Sequence, residues 1–219
     1  MYMDVVSYDN NSLPIRHLCS HDSVLRNVIY SIGNLSYTPY ADSFAYMIDT
    51  IIGQMLSSKV AGLLSERLLN ACNGDVSPIN LEILTIADLR GIGLSNAKAE
   101  YIFGIAKHCR ETPNFFKDLL TKSDDEVIEE LTKLRGIGPW SAKMYLIFVL
   151  DRLDVLPFED SAFLQTFKWL YPHVELKKRA IQEHCVNWQP YSSIASRYLY
   201  KALDAGFTKY SYAEISSSI

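Results

Sequence analysis

A short glycine-rich segment, Leu134 to Lys143, has the residue types needed to bind a phosphate group through its backbone. Gly136 and Gly138 allow backbone angles that other residues avoid, and Pro139 is suited to the first turn of a helix. The pattern therefore predicts a tight turn whose free amides face outward at a helix N-terminus. Such a turn holds a phosphate oxygen without a side-chain charge. A plain glycine-rich connection between two helices would also explain the pattern.

A related motif occurs earlier in the chain. Leu89 to Lys98 resembles Leu134 to Lys143, with its glycines at Gly91 and Gly93. The offset between residues 89 and 134 could be the period of a helical repeat array, but only two copies of the motif occur. Two helix-turn-helix units within one fold are therefore the preferred interpretation. Because the earlier copy lacks the proline, we expect it to be structural.

The segments around both motifs have helical periodicity. Apolar residues recur at spacings of three and four in 44–55 and again in 60–68. Ser95 is a candidate helix N-cap, and Ser123 with Glu126 matches the Ser-x-x-Glu capping box. Because no stretch shows convincing period-two alternation, the sequence predicts an all-α fold. Further helices are expected over 161–171, 175–186 and 191–205.

The composition is that of an ordinary globular chain. Of the 219 residues, 48% are hydrophobic and 21% are charged, which argues against a disordered chain. The apolar run Tyr145 to Leu150 is far shorter than the ~20 residues that a membrane span needs. No secretory signal is visible at the N-terminus. Four scattered cysteines without metal-ligand spacing predict a reduced protein of the cytoplasm or nucleus.

The net charge of −4 argues mildly against nucleic acid as a partner. The charges are unevenly spread, however. Residues 168–201 hold six basic and two acidic residues, whereas residues 1–50 hold five acidic and two basic ones. Because the local field governs the binding of a polyanion, the net charge does not exclude DNA.

Three further blocks accompany the hairpin in order along the chain. Residues 51–57 read IIGQMLS, residues 156–160 read LPFED, and residues 188–195 read WQPYSSIA. With the hairpin, these blocks resemble the helix-hairpin-helix DNA glycosylases, specifically the AlkA-like branch of 3-methyladenine DNA glycosylase II. The likeness spans about residues 20–205.

The resemblance implies a two-lobed, all-α fold. Residues 44–152 are expected to form the helix-hairpin-helix lobe. Residues 1–43 and 153–219 are expected to form a second helical lobe, with the catalytic aspartate at the cleft. The extra N-terminal β domain of larger family members is expected to be absent.

The resemblance also implies that Asp160 is the catalytic aspartate. Hydrolysis of an N-glycosidic bond builds positive charge on the sugar, and a nearby carboxylate favours that transition state. At ~4 Å and an effective dielectric of ~20, the attraction is about 4 kcal/mol, or roughly a thousandfold in rate. That suffices for a labile, cationic alkylpurine. Asp160 would also orient the attacking water, and a helix N-cap role is compatible with both tasks.

Other site residues follow from the same resemblance. Trp140 replaces the lysine of lyase-competent relatives, which implies a monofunctional glycosylase. Trp140, Met144 and Tyr200 match positions of the base pocket. Tyr200 stands where the family often has tryptophan and Met144 where some members have tyrosine, which predicts a smaller aromatic cage for a cationic base. Lys143 is expected to contact a phosphate. Leu56 matches the wedge that fills the gap left by the flipped base, although a core leucine fits equally well.

The implied partner is double-stranded DNA containing damaged bases, bound by a monomer. No cofactor is expected beyond a structural monovalent cation held by the carbonyls near Gly136 and Gly138, and no metal is assigned to His17, Cys19 and His21. Two alternatives stay open. The chain could be a non-enzymatic DNA-binding module that senses damage, or a glycosylase for hypoxanthine or oxidised purines.

Overall fold

The computed structural model describes residues 4–212 and residue 214. The chain divides into two compact units, a split unit of Met1–Pro39 with Asp151–Ile219 and a continuous unit of Tyr40–Leu150. The second lobe expected from the sequence runs to residue 219, and its residues 213 and 215–219 lie outside the described part.

Helices account for most of the described chain. The α-helices, in chain order, are α1 (Leu13–His21), α2 (Ser23–Ile32), α3 (Ser43–Gly53), α4 (Ser58–Ala71), α5 (Pro78–Glu82), α6 (Ile86–Ile92), α7 (Asn96–Glu111), α8 (Phe115–Leu119), α9 (Asp124–Thr132), α10 (Pro139–Phe148), α11 (Ser161–Leu170), α12 (Lys178–His184) and α13 (Ser192–Asp204). Short 3-10 helices cover Cys185–Trp188 and Phe207–Lys209. The predicted all-α class is confirmed. Across residues 4–212 and 214, none of the helices combines the length and apolarity that a bilayer span requires.

A small antiparallel sheet in the split unit is the one departure from the all-α expectation within the described residues. Its strands are β1 (Val6–Tyr8) and β2 (Leu35–Tyr37), with Val6 opposite Tyr37 and Tyr8 opposite Leu35. With three residues each, the strands are too short for a period-two pattern to be recognised.

The core of the split unit forms around α1, α2, α11 and α13. The carboxylate of Asp22 caps α2 by accepting from the amides of Val24 and Leu25, at 3.0 and 2.8 Å. Its other oxygen accepts from the Tyr171 hydroxyl at 2.6 Å and from Trp188 Nε1 at 2.9 Å. Burial and the Asp22 carboxylate raise the pKa of Tyr171 well above its usual value. These four hydrogen bonds satisfy a carboxylate that would otherwise destabilise the core.

The continuous unit confirms the local signals read from the sequence. The Ser95 hydroxyl caps α7 by accepting from the amide of Lys98. Ser123 and Glu126 form the predicted capping box at the start of α9. Pro139 is the first residue of α10, as the sequence predicts. The two serine caps satisfy amides that a helix leaves without intrahelical partners, and these three helices begin where the sequence indicates.

Candidate functional site

The later glycine turn, between α9 and α10, needs glycine at only one of its two positions. Gly136 has a φ of +94°, and a Cβ placed there would lie 2.4 Å from Cδ2 of Tyr101. Gly138 has a φ of −106° and a ψ of 177°, which any residue adopts, and a Cβ there would meet no atom within 4 Å. The expectation that both glycines use angles closed to other residues is therefore wrong for Gly138. The cause is Pro139, whose ring forces the preceding residue into an extended conformation.

The earlier glycine turn, between α6 and α7, has a different conformation. Gly93 has a φ of +115° and ends α6, and a Cβ there would lie 3.0 Å from Cδ2 of Leu64. Gly91 lies within α6 and is unobstructed. The left-handed position thus falls on the second glycine here and on the first glycine in the later copy. Two segments that share seven of ten residues therefore adopt different backbone conformations.

The N-terminus of α10 offers hydrogen-bond donors. Within residues 4–212 and 214, neither the amide of Gly138 nor that of Ser141 has a protein acceptor. Pro139 between them has no N–H. Unpaired amides at a helix N-terminus, together with the helix dipole, favour an anion. Ser141 is only 1% exposed and Gly138 is partly exposed, so the Gly138 amide is the more accessible of the two, and the phosphate-binding role of this turn stays a prediction.

The carbonyl groups of the same turn have partners. The oxygen of Gly136 accepts from Nε2 of Gln54 at 2.9 Å, and the oxygen of Gly138 accepts from the amide of Ala142 at 3.1 Å. A carbonyl oxygen has two lone pairs. A monovalent cation at this turn would therefore have to use the remaining lone pair of each oxygen, and such a cation stays a proposal.

A second turn, between α3 and α4, lies against the hairpin. Gln54 follows the last residue of α3, and its amide group joins this turn to Gly136. Met55 has a φ of +58°, rare for a residue with a side chain, and its side chain is fully exposed. Leu56 is 39% exposed, so it does not belong to the core. The wedge role of Leu56 stays a prediction, and sequence reasoning missed the greater exposure of Met55.

The other predicted residues of the continuous unit lie on α10. Trp140 is half-buried, and Met144 is buried. Lys143 is 9% exposed. Such burial weighs against the expected contact with a DNA phosphate, which requires an ammonium group open to solvent.

Asp160 is the N-cap of α11 in the split unit. Its Oδ1 accepts from the amide of Phe163 at 2.7 Å, and the residue is only 8% exposed. Phe163 is part of the core. The predicted N-cap role is therefore present, and it fixes one carboxylate oxygen relative to the core. Tyr200 lies in the same unit, on α13, where it packs against that core.

The loop that leads to Asp160 is held by the N-terminal part of α13. Ser193 donates its amide to the oxygen of Leu153, and its Oγ accepts from the amide of Val155, both at 2.9 Å. The Ser192 hydroxyl donates to Asp154 at 2.5 Å. The Ser192 amide also donates to the same carboxylate, at 3.2 Å, so Ser192 anchors this loop. Asp154 is thereby tied to α13.

A cation and an aromatic ring fix the start of the same loop. The buried Arg197 guanidinium lies 3.5 Å from the centre of the Tyr37 ring and 3.4 Å from Oδ1 of Asp151. The Tyr37 hydroxyl donates to the same carboxylate at 2.9 Å. Asp151 has a φ of +50°, so this cluster holds a strained backbone position. Sequence reasoning missed Arg197, although its place one turn after the serines of the WQPYSSIA block was a signal.

Comparison with known proteins identifies the family. The family model described as HhH-GPD superfamily base excision DNA repair protein matches residues 48–190. The chain belongs to this family, which confirms the resemblance read from the motifs. The matched range includes both glycine turns, Leu56 and Asp160.

Individual relatives agree with this assignment. A solved DNA-3-methyladenine glycosidase from Bacillus halodurans is 30% identical, with a TM-score of 0.83 over 96% of this chain and 98% of that one. A 3-methyladenine DNA glycosylase of Schizosaccharomyces pombe, solved with abasic DNA, is 25% identical, with a TM-score of 0.78 over 88% and 97% of the two chains. The DNA-3-methyladenine glycosylase of Saccharomyces cerevisiae is 32% identical over 66% of this chain. That match covers 52% of the yeast protein, so the chain spans about half the length of this relative.

Proposed function

We propose that the chain is a monofunctional DNA glycosylase that hydrolyses the N-glycosidic bond of alkylated purines, of the 3-methyladenine type, in duplex DNA. The observation that carries the proposal is Asp160, a buried carboxylate fixed at the N-cap of α11 in a chain of this family. The relatives named as 3-methyladenine glycosylases support the lesion class.

Asp160 would act on the sugar. When the bond to a cationic alkylpurine breaks, both bonding electrons go to the base, which becomes neutral, and the positive charge passes to the sugar. The carboxylate stabilises this charge and orients a water molecule that adds to C1′ and releases a proton. The amide of Phe163 holds Oδ1 of Asp160 in place before the bond breaks. The carboxylate therefore does not have to move to stabilise the charge that develops on the sugar.

The absence of lyase chemistry follows from Trp140. An indole side chain cannot form the Schiff base that a lysine amine forms with the sugar. The product would therefore be an intact strand with an abasic site. The hairpin amides and the turn at Met55 would hold the duplex. We expect the chain to act as a monomer, in the bacterial cytoplasm or in the nucleus.

A base-release assay tests the proposal. Duplexes with one defined lesion each (3-methyladenine, 7-methylguanine, hypoxanthine or 8-oxoguanine) are incubated in single turnover with the wild type and with Asp160→Asn. Asparagine caps helices as well as aspartate does, so the variant should keep its fold. We expect release of the alkylated purines by the wild type and a loss of about a thousandfold in the variant, with duplex binding kept.

The other outcomes correct the proposal in different ways. Binding without release by the wild type would identify a non-enzymatic module. Preference for hypoxanthine or 8-oxoguanine would change the lesion class but not the chemistry. A covalent adduct trapped with borohydride, or strand cleavage before alkali is added, would contradict the monofunctional mechanism.

A further inference from the structure

Lys98 lies in the first turn of α7, but its ammonium group binds the end of a different helix. Nζ donates to the carbonyl oxygen of Ile52 at 2.8 Å and to that of Gln54 at 2.7 Å. These oxygens belong to the C-terminal end of α3, where carbonyls lack intrahelical partners and the helix dipole favours a cation. At the N-terminus of its own helix the same charge is unfavourable. The position of Lys98 therefore benefits α3 and not α7.

The surroundings of Lys98 indicate a structural contact. Within the described residues, no carboxylate lies within 4.0 Å of its Nζ, and the neighbouring Glu100 pairs with Arg135 at 3.3 Å. Lys98 is half-buried, and burial lowers the pKa of its ammonium group. A lysine that contacts DNA phosphates is more exposed and has its donors open to solvent. The donors of Lys98 are directed into the turn that carries Met55.

The same turn of α7 also supports the glycine hairpin. The Tyr101 ring lies so close to Gly136 that no other residue fits there. The Arg135 guanidinium lies 5.4 Å from the centre of this ring and pairs with Glu100. Residues 98–101 therefore contact both segments that would meet the duplex.

We propose that Lys98 is a positioning residue, which holds the turn after α3 so that Met55 projects outward toward the duplex. The proposal rests on the proposed function. Its physical basis is the left-handed backbone of Met55, a conformation that persists only where the surroundings determine it. The two hydrogen bonds from Lys98 fix the residues immediately before Met55. Lys98, the last residue of the earlier glycine motif, thus positions the turn after α3, whereas the later motif forms the hairpin.

The test compares Lys98→Met with Lys107→Met, a matched change on the exposed side of the same helix, where Lys107 is 3.8 Å from Glu111. Hydrogen exchange of residues 53–57 measures the turn directly and does not depend on activity. In Lys98→Met we expect faster exchange there, about tenfold weaker binding of an abasic-analogue duplex and an unchanged salt slope. Lys107→Met should match the wild type in all three. Lys98→Arg, which keeps the charge and the donors, should recover part of the affinity.

Several results would overturn the proposal. Exchange and affinity equal to those of Lys107→Met would show that the turn does not need Lys98. A salt slope reduced by about one would mean that Lys98 contacts a phosphate. If Lys98→Met does not fold, Lys98→Gln, which keeps an amide NH₂ donor group without the charge, takes its place in the same measurements. If the wild type releases no base, the proposed function fails, and the exchange of residues 53–57 alone decides whether Lys98 positions the turn.

Discussion

The side-chain amide of Gln54 donates to the carbonyl oxygen of Gly136 at 2.9 Å, a bond between residues 82 positions apart. It joins the turn after α3 to the glycine hairpin. The Gly136 carbonyl is thereby occupied, and the amides at the start of α10 are left as the donors of the hairpin. Because Gln54 connects the two segments, a change in either should alter the other.

Gly136→Ala should destabilise the fold. The new methyl group would lie 2.4 Å from Cδ2 of Tyr101, and a φ of +94° is strained for alanine. We expect a loss of about 2–4 kcal/mol in the free energy of unfolding, from backbone strain plus overpacking. Gly138→Ala is the control, because its site is open and extended, and it should cost less than about 1 kcal/mol as a poorer N-cap. Urea unfolding measures both, and equal losses would show that the two glycines have the same role.

Gly138→Val tests the hairpin as the anchor for DNA. The site has no protein atom within 4 Å, so the fold should tolerate the side chain, whereas a phosphate approaching the Gly138 amide should not. We expect the affinity for an abasic-analogue duplex to fall about ten- to a hundredfold, or roughly 1.4–2.8 kcal/mol. Gly93→Val should act mainly on stability, because Gly93 has a φ of +115° and faces Leu64. Fluorescence anisotropy over a salt series measures the binding. Stronger weakening by Gly93→Val in a folded protein would assign the anchor to the earlier copy.

Local signals in the sequence predicted where helices begin. Ser95, Ser123 and Pro139 are at the starts of α7, α9 and α10 because capping and proline preferences depend on residues within one turn. The extended conformation of Gly138 could also have been read from the proline that follows it. By contrast, the contact of Lys98 with Ile52 joins residues 46 positions apart, and no local pattern encodes it.

In the candidate site, too, the features that depend on local sequence could be predicted, and those that depend on tertiary contacts could not. Asp160 was singled out by the family resemblance, and its N-cap role follows from the residue type. The residues that hold its loop depend on tertiary packing. Ser193 meets Val155, and Arg197 meets Tyr37, only once α13 has packed in the split unit. The choice between Met55 and Leu56 likewise depends on the backbone of one turn.

Glu126→Gln should reveal the charge dependence of the capping box. The Glu126 carboxylate accepts from the hydroxyl and the amide of Ser123 at 2.7 and 2.8 Å, which lowers its pKa below the usual 4.5. A lowered pKa in the folded state means that the contribution is present above 4.5 and is lost as the pH falls through the folded value. We therefore expect the variant to be less stable than the wild type at pH 7, with the difference shrinking at pH 3. Urea unfolding at both values checks this, and a difference that does not change with pH would contradict it.

Met55→Ala should impair base flipping more than Leu56→Ala. A wedge fills the space left by the flipped base and must project from the protein surface. The Met55 side chain is fully exposed at a strained turn, whereas Leu56 is 39% exposed. Because an exposed side chain has little burial to lose, Met55→Ala should leave the free energy of unfolding within about 0.5 kcal/mol of the wild type. We expect single-turnover excision to fall about tenfold or more, with a smaller effect for Leu56→Ala.

The measurement pairs excision with the fluorescence of 2-aminopurine placed next to the lesion, which rises when the neighbouring base leaves the stack. Met55→Ala should lower both signals, whereas a variant that only weakens duplex binding would recover them at high protein concentration. Met55→Leu serves as the control, because it keeps a large apolar side chain at the same position. A larger loss in Leu56→Ala would assign the wedge to Leu56, as the family motif suggests. Met55 would then be an exposed neighbour whose left-handed backbone serves only to direct Leu56.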